Sequence, residues 1–180
     1  KLGLMRSHFQ IENYQNAALY ANKVLKSSNL NHDLKREGHY ARGMSNFYLE
    51  HYNDAKPSLM WIKDNVTTEM GAEARYSLGE SHFKQGNLTS ADAEVDGLLK
   101  MKPMYNYWVA KGLMLRTRVQ MQQDKLFEAE QTLKSVIDHY PNTDDGIQDE
   151  ASALWDELMQ LKDQPKNIEE EGERVIEIGN

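Results

Sequence analysis

Apolar and small residues recur at a 3-4-3 spacing in four separate stretches of the chain. These are Tyr14, Ala17, Ala21, Val24; Tyr52, Ala55, Leu59, Ile62; Leu88, Ala91, Val95, Leu98; and Leu126, Ala129, Leu133, Val136. Residues three and four apart share one face of a helix, so each set predicts one amphipathic helix with a buried stripe. The second member is alanine every time, at 17, 55, 91 and 129, which sets successive periods of 38, 36 and 38 residues. A second landmark keeps step: Phe9, Phe47, Phe83 and Met121 each lie eight residues before the repeated alanine and mark a preceding helix. Short polar segments run between the two landmarks, clearest in Lys84-Gln85-Gly86-Asn87. There glycine accommodates the left-handed conformation that ends a helix, and asparagine is expected to cap the next. Pro103 and Pro141 fall twelve residues after their alanines, where proline stops the second helix. The chain reads as a tandem array of antiparallel helix pairs, one pair per period.

The third unit carries Leu78-Gly79, His82-Phe83, Gly86, Leu88, Ala91, Val95, Leu98 and Pro103 in register. In this spacing the chain resembles the tetratricopeptide repeat family, whose unit is a helix-turn-helix of about 34 residues. The resemblance covers about residues 1–141, and the longer periods imply two to four extra residues per unit at helix ends or in loops. It implies an all-α fold, a right-handed α-solenoid of about four antiparallel helix pairs with a C-terminal capping helix. Gly43 repeats the small residue of Gly79, which lets the helices of a pair approach closely, whereas Met5 and Thr117 at that position predict wider packing.

The units are expected at about 1–30, 31–66, 67–103 and 104–141, with the capping helix over about 144–162. Asp144-Asp145 would cap that helix, and Ile147, Ala151, Leu154, Trp155, Leu158 and Leu161 would form its apolar face. Residues 1–163 then make one repeat domain. Residues 164–180, with five acidic and two basic side chains, are expected to be a disordered acidic tail. Its Val175-Ile176-Glu177-Ile178 alternation would also suit sheet addition or packing on a partner. Alignment on Ala17 places Lys1 about three residues inside the usual repeat start, which predicts a clipped first helix and a fragment of a longer array. His139-Tyr140-Pro141-Asn142-Thr143 is similar to a junction in bacterial envelope repeat proteins. The stretches Ala74-Arg75-Tyr76-Ser77-Leu78-Gly79-Glu80 and Tyr107-Trp108-Val109-Ala110 resemble large repeat proteins of Bacteroidetes-type bacteria. Localisation stays open between a bacterial periplasm or envelope and the cytoplasm.

Composition narrows the chemistry. There is no cysteine, so disulfides, Cys zinc sites and thiol catalysis are excluded. A net charge of −7 argues against nucleic acid or an anionic membrane surface as partner. The longest apolar runs, such as Leu59-Met60-Trp61-Ile62, fall far below the ~20 residues a membrane span needs, so no membrane insertion is expected. Six histidines, at 8, 32, 39, 51, 82 and 139, show no metal-ligand spacing. His8 and His82 share a repeat position with Asn46 and Gln120, which reads as a polar helix-packing site. No nucleophile elbow, phosphate loop or dinucleotide turn occurs, so neither an enzyme nor a cofactor is expected. Trp61, Trp108 and Trp155 stand at helical spacings that predict packing. Asp144, Asp145, Asp149 and Glu150 surround a helix start, where the helix dipole favours negative charge.

The resemblance also implies a concave groove lined by the first helix of each pair. Its usual positions fall on Arg6; Glu37, Tyr40, Met44, Tyr48; Glu73, Tyr76, Glu80, Lys84; and Lys111, Met114, Arg118, Gln122. The partner-binding candidates are Tyr40, Met44, Tyr48, Tyr76, Glu80, Lys84, Met114 and Arg118, with Tyr40 and Tyr76 as anchors. Met44, Glu80 and Arg118 differ at one shared position, where a ligand would be read. A carboxylate clamp like that of some family members is missing: Tyr40, Tyr76 and Met114 occupy its first sites and Glu80 repels a carboxylate. The expected function is a non-catalytic scaffold that binds a peptide or helix of a protein partner in this groove. The alternative is a structural self-association module forming a homo-oligomer.

Overall fold

The structure, a computed structural model, describes residues 1–164. Among these the ordered elements are all helical: α1 (Leu2–Gln10), α2 (Tyr14–Leu25), α3 (His32–Tyr48), α4 (Tyr52–Asn65), α5 (Glu69–Lys84), α6 (Leu88–Leu99), α7 (Asn106–Gln122), α8 (Leu126–His139) and α9 (Ile147–Asp163). The periodic faces are the buried ones. Ala17, Ala55, Ala91 and Ala129 are each 0% exposed, and the residues four and seven places on are buried in every second helix. Small side chains let paired helices close up. A Cβ on Gly43 would stand 3.0 Å from Leu59 Cδ2 and 3.2 Å from Ser58 Cβ, both on α4. One on Gly79 would stand 3.4 Å from the Ala91 carbonyl oxygen of α6. Met5 and Thr117, at the same position, are themselves buried. Thr117 turns its hydroxyl back to donate to the Leu113 carbonyl at 3.0 Å.

The four hairpins share one backbone solution. Glu12, Glu50, Gly86 and Asp124, spaced by the repeat period, adopt φ of 58°, 60°, 76° and 55°. At each turn the next residue's N–H reaches back five residues to a helix carbonyl: Asn13 to His8, His51 to Asn46, Asn87 to His82 and Lys125 to Gln120, at 2.8–2.9 Å. The left-handed residue itself donates three residues back, and the two bonds together satisfy carbonyls that the helix end would leave free. Asn87 occupies the cap position of α6, but its side chain makes no capping bond. Asn13 and Asn31 do cap, accepting from Asn16 N at 3.3 Å and Leu34 N at 2.9 Å. At α9 the cap position is held by Gly146, at φ 83°, and Asp145 accepts the Ile147 N–H at 3.2 Å.

Each helix touches only helices one or two places away along the chain. Among the described residues the odd-numbered helices α1, α3, α5, α7 and α9 contact one another in series, while the even-numbered α2, α4, α6 and α8 do not. The odd helices therefore form the tighter, inner layer, and the array curves around it as a helical repeat solenoid. The core runs along this stack in successive clusters, from Met5, Ala21, Val24 and Ala41 to Ala129, Leu133, Ile147, Ala151 and Leu158. Among the described residues no helix is long and apolar enough to cross a membrane. Of the acidic tail expected over residues 164–180, all but residue 164 lies outside the described residues.

Candidate functional site

Residues of the odd helices at the repeat's groove positions meet across successive helices, because the inner layer packs tightly enough for long side chains to reach. Arg6 of α1 donates two hydrogen bonds to Glu37 of α3, at 2.5 and 2.8 Å. The Tyr40 hydroxyl of α3 donates to Glu73 of α5 at 2.9 Å. Glu80 of α5 accepts from Arg118 of α7 at 2.8 and 3.3 Å. Lys111 of α7 donates to Glu150 of α9 at 2.6 Å and lies 5.5 Å from the centre of the Tyr76 ring. A polar ladder thus runs the length of the inner face, one rung per helix junction.

Burial and neighbouring charges act on several of these groups. Burial pushes the Tyr40 phenol well above its usual range, helped by the Glu73 charge, so the hydroxyl stays a donor at neutral pH. Burial also raises Glu73, against the lowering effect of the Tyr40 hydrogen bond. For Lys111, burial acts to lower the pKa, but Tyr76 and Glu150 outweigh it and the net shift is upward. Glu80 is only 8% exposed and tolerates that burial because the Arg118 guanidinium neutralises it.

The expected site residues occupy three kinds of place. Tyr76, Glu80, Lys84 and Arg118 come together: Lys84 lies 3.9 Å from Glu80, and Arg118 sits 5.4 Å from the centre of the Phe83 ring. Tyr40 and Tyr48 lie nearer the N-terminal end. Tyr40 packs on Phe9 and Tyr48, 48% exposed, stacks on Tyr14 at 4.7 Å. Met44 and Met114 are 2% and 4% exposed and belong to the core clusters, with Met44 accepting a weak hydrogen bond from Ser77 at 3.7 Å.

Two adjoining cavities open where α5, α7 and α9 converge. One, of about 320 Å³, is lined by Tyr76, Lys111, Met114, Arg118, Glu150 and Glu157. The other, of about 350 Å³, is lined by Phe83, Lys84, Met121, Gln122 and again Arg118 and Glu157. Glu157 is exposed and has no hydrogen-bond or ion-pair partner among the described residues. Glu150 and Glu157 are groove residues absent from the expected set. They follow Lys111 and Arg118 by 39 residues, beyond the periods of 36 and 38, so the repeat spacing alone does not reach them. Among the described residues no group of three His, Asp or Glu side chains is placed to hold a metal ion.

Comparison with known proteins adds one finding. A family model described as tetratricopeptide repeat matches residues 112–143, which span most of α7 and all of α8. The match falls on the fourth unit, where Thr117 replaces the glycine of the second and third. No curated protein and no solved structure matches the chain. The unit matched over residues 112–143 is a tetratricopeptide repeat, and it shares its register, hairpin geometry and buried alanine with three further helix pairs of this helical repeat array.

Proposed function

We propose that the protein is a non-catalytic interaction scaffold that holds a peptide or helix of a protein partner along the inner face of α5, α7 and α9. Tetratricopeptide repeats generally mediate protein–protein interactions. The observation that carries the reading here is the pair of cavities joined at Arg118 and Glu157. Their walls offer aromatic rings for apolar anchors, while most charges are already matched within the protein. Glu157 is the exception, so a partner segment with a Lys or Arg at that point would complete the groove. Exposed groups rather than the buried rungs are the ones to alter, since truncating Arg118 would strand Glu80 as an unpaired buried charge.

The test is affinity capture from source-cell extract on the immobilised protein, with Glu157→Lys and Lys84→Glu variants of unchanged helicity as controls. A protein retained by the parent and lost by both variants supports groove binding, and retention by all three moves the interface elsewhere. Self-association is supported by a separate observation. Residues 1–26 carry four cationic side chains against one carboxylate, whereas α9 carries five carboxylates against one cation. Opposite charge at the two ends favours head-to-tail contacts. Light scattering over a range of concentration and salt decides this: a concentration-independent monomer rules out the oligomer.

A further inference from the structure

A second concave site lies on the other side of α3 from the groove. Lys35, His39 and Arg42, spaced four and three along α3, face a cleft of about 670 Å³ whose remaining wall includes Asn22, Lys26 and Trp61. That volume falls in the range of small-molecule sites. No carboxylate lines it, although the chain as a whole carries a net charge of −7. Lys26 and Lys35 form no ion pair among the described residues. The Trp61 indole forms a rigid wall, stacked on His39 at 4.4 Å with the rings nearly parallel.

The repeat supplies its own control for Arg42. Two periods on, at the same position, Arg116 donates to Asp92 at 2.5 Å and to Asp96 at 2.6 Å, both on the preceding helix α6. The counterparts of these two carboxylates on α2 are Ala18 and Asn22. Arg42 keeps the cation and has lost both counter-ions. Its Nε donates to the Ser58 hydroxyl and its Nη1 to Asn22 Oδ1 at 3.3 Å, both neutral acceptors, and Nη2 has no acceptor among the described residues. The electrostatics separate the two sites in the same way. Burial alone acts on Arg42 and lowers its pKa, whereas at Arg116 the aspartates outweigh burial and raise it. His39 does not add to the charge at neutral pH, since burial and then Arg42 and Lys35 hold its pKa at about 4.

A half-buried guanidinium stripped of its carboxylates, flanked by two unpaired ammonium groups, is an anion receptor by charge and by donor geometry. We propose that the cleft between α2, α3 and α4 binds a small, multiply charged oxyanion, a phosphate- or polycarboxylate-bearing molecule. Arg42 Nη2 donates to it and Lys26 and Lys35 flank it. The site is independent of the groove and of any protein partner held there.

Isothermal titration calorimetry tests this with inorganic pyrophosphate and, separately, citrate, at constant ionic strength set with sodium chloride. The parent protein is compared with an Ala18→Asp/Asn22→Asp form, which installs the carboxylates of the Arg116 site, and with Arg42→Gln. Saturable one-to-one binding of at least one anion is expected, at least about tenfold weaker in both variants, the loss of one charge-assisted hydrogen bond. Response to pyrophosphate alone assigns a phosphate ligand, and to citrate alone a polycarboxylate. Ala18 is only 7% exposed, so helicity and the thermal midpoint of the double aspartate form are measured beside its binding, and Arg42→Gln, which adds no carboxylate to a buried position, decides the test where that form is destabilised. No saturable binding of either anion, or a loss below tenfold in either variant, overturns the assignment.

Discussion

Exchanging residue types at the left-handed hairpin position isolates a single backbone effect. Gly86 and Glu50 hold the same place in successive units, at φ 76° and 60°, with the same pair of backbone hydrogen bonds. No atom lies within 4 Å of where a Gly86 Cβ would stand, and the Glu50 side chain is exposed and forms no ion pair among the described residues. Neither Gly86→Ala nor Glu50→Gly therefore disturbs packing. A left-handed conformation costs an L-residue about 1–2 kcal/mol. Glycine's extra freedom in the unfolded chain offsets about 0.5–1 kcal/mol of that. Gly86→Ala should lose, and Glu50→Gly should gain, about 0.5–1 kcal/mol. At this chain length 1 kcal/mol moves the thermal midpoint by ~2–4 °C. Circular dichroism melts of the parent and both variants check this, with urea titration as a second measure. Shifts of the same sign in the two variants, or a destabilised Glu50→Gly, would refute the reasoning.

Two further outcomes follow from close contacts and from titration. A Cβ on Gly71 would lie 2.0 Å from the Val66 carbonyl oxygen, a backbone atom that cannot swing aside. Gly71→Ala should then cost at least about 2 kcal/mol by overpacking at the α4–α5 turn, and an unchanged urea midpoint would contradict that. His39 should titrate by NMR with a midpoint near 4, because burial and then Arg42 and Lys35 disfavour its imidazolium. The unfolded imidazole takes up its proton near 6.5, so the unfolded state binds more protons between these values. The His39 contribution to stability is complete above pH 6.5 and is lost as the pH falls toward 4. A midpoint at or above 6.5 in the absence of polyanion would be incompatible with a buried, cation-flanked ring.

The repeat was legible because each unit solves the same packing problem with the same small residue. Ala17, Ala55, Ala91 and Ala129 recur in sequence and are all fully buried. The hairpin geometry was visible at Gly86 alone, since Glu12, Glu50 and Asp124 adopt the same left-handed conformation behind side chains that do not advertise it. Of the positions taken from helical spacing, Tyr76, Lys84, Met114 and Arg118 line the two cavities, and Glu80 pairs with Arg118 beside them. Spacing does not report how far adjacent helices lean together, which is what buries Met44 and Met114. The Arg42 cleft was hidden for a related reason. Its character depends on two residues of α2 that matter only once α2 and α3 are side by side, and that look unremarkable until set against Asp92 and Asp96.

That every helix leans only on near neighbours also decides how the array comes apart. Among the described residues no distant segment closes the array, which therefore has no keystone there. Loss of one terminal pair removes one interface and leaves the remainder standing, and opening should travel inward from the ends like a zipper. Amide exchange would then be slowest in α4, α5 and α6 and fastest in α1. Contacts reach no further than helices two places apart, which favours rapid folding as well as piecemeal unfolding. Such a rod is held in shape by what lies along it, and a ligand spanning several inner helices would tie the units together and stiffen the whole.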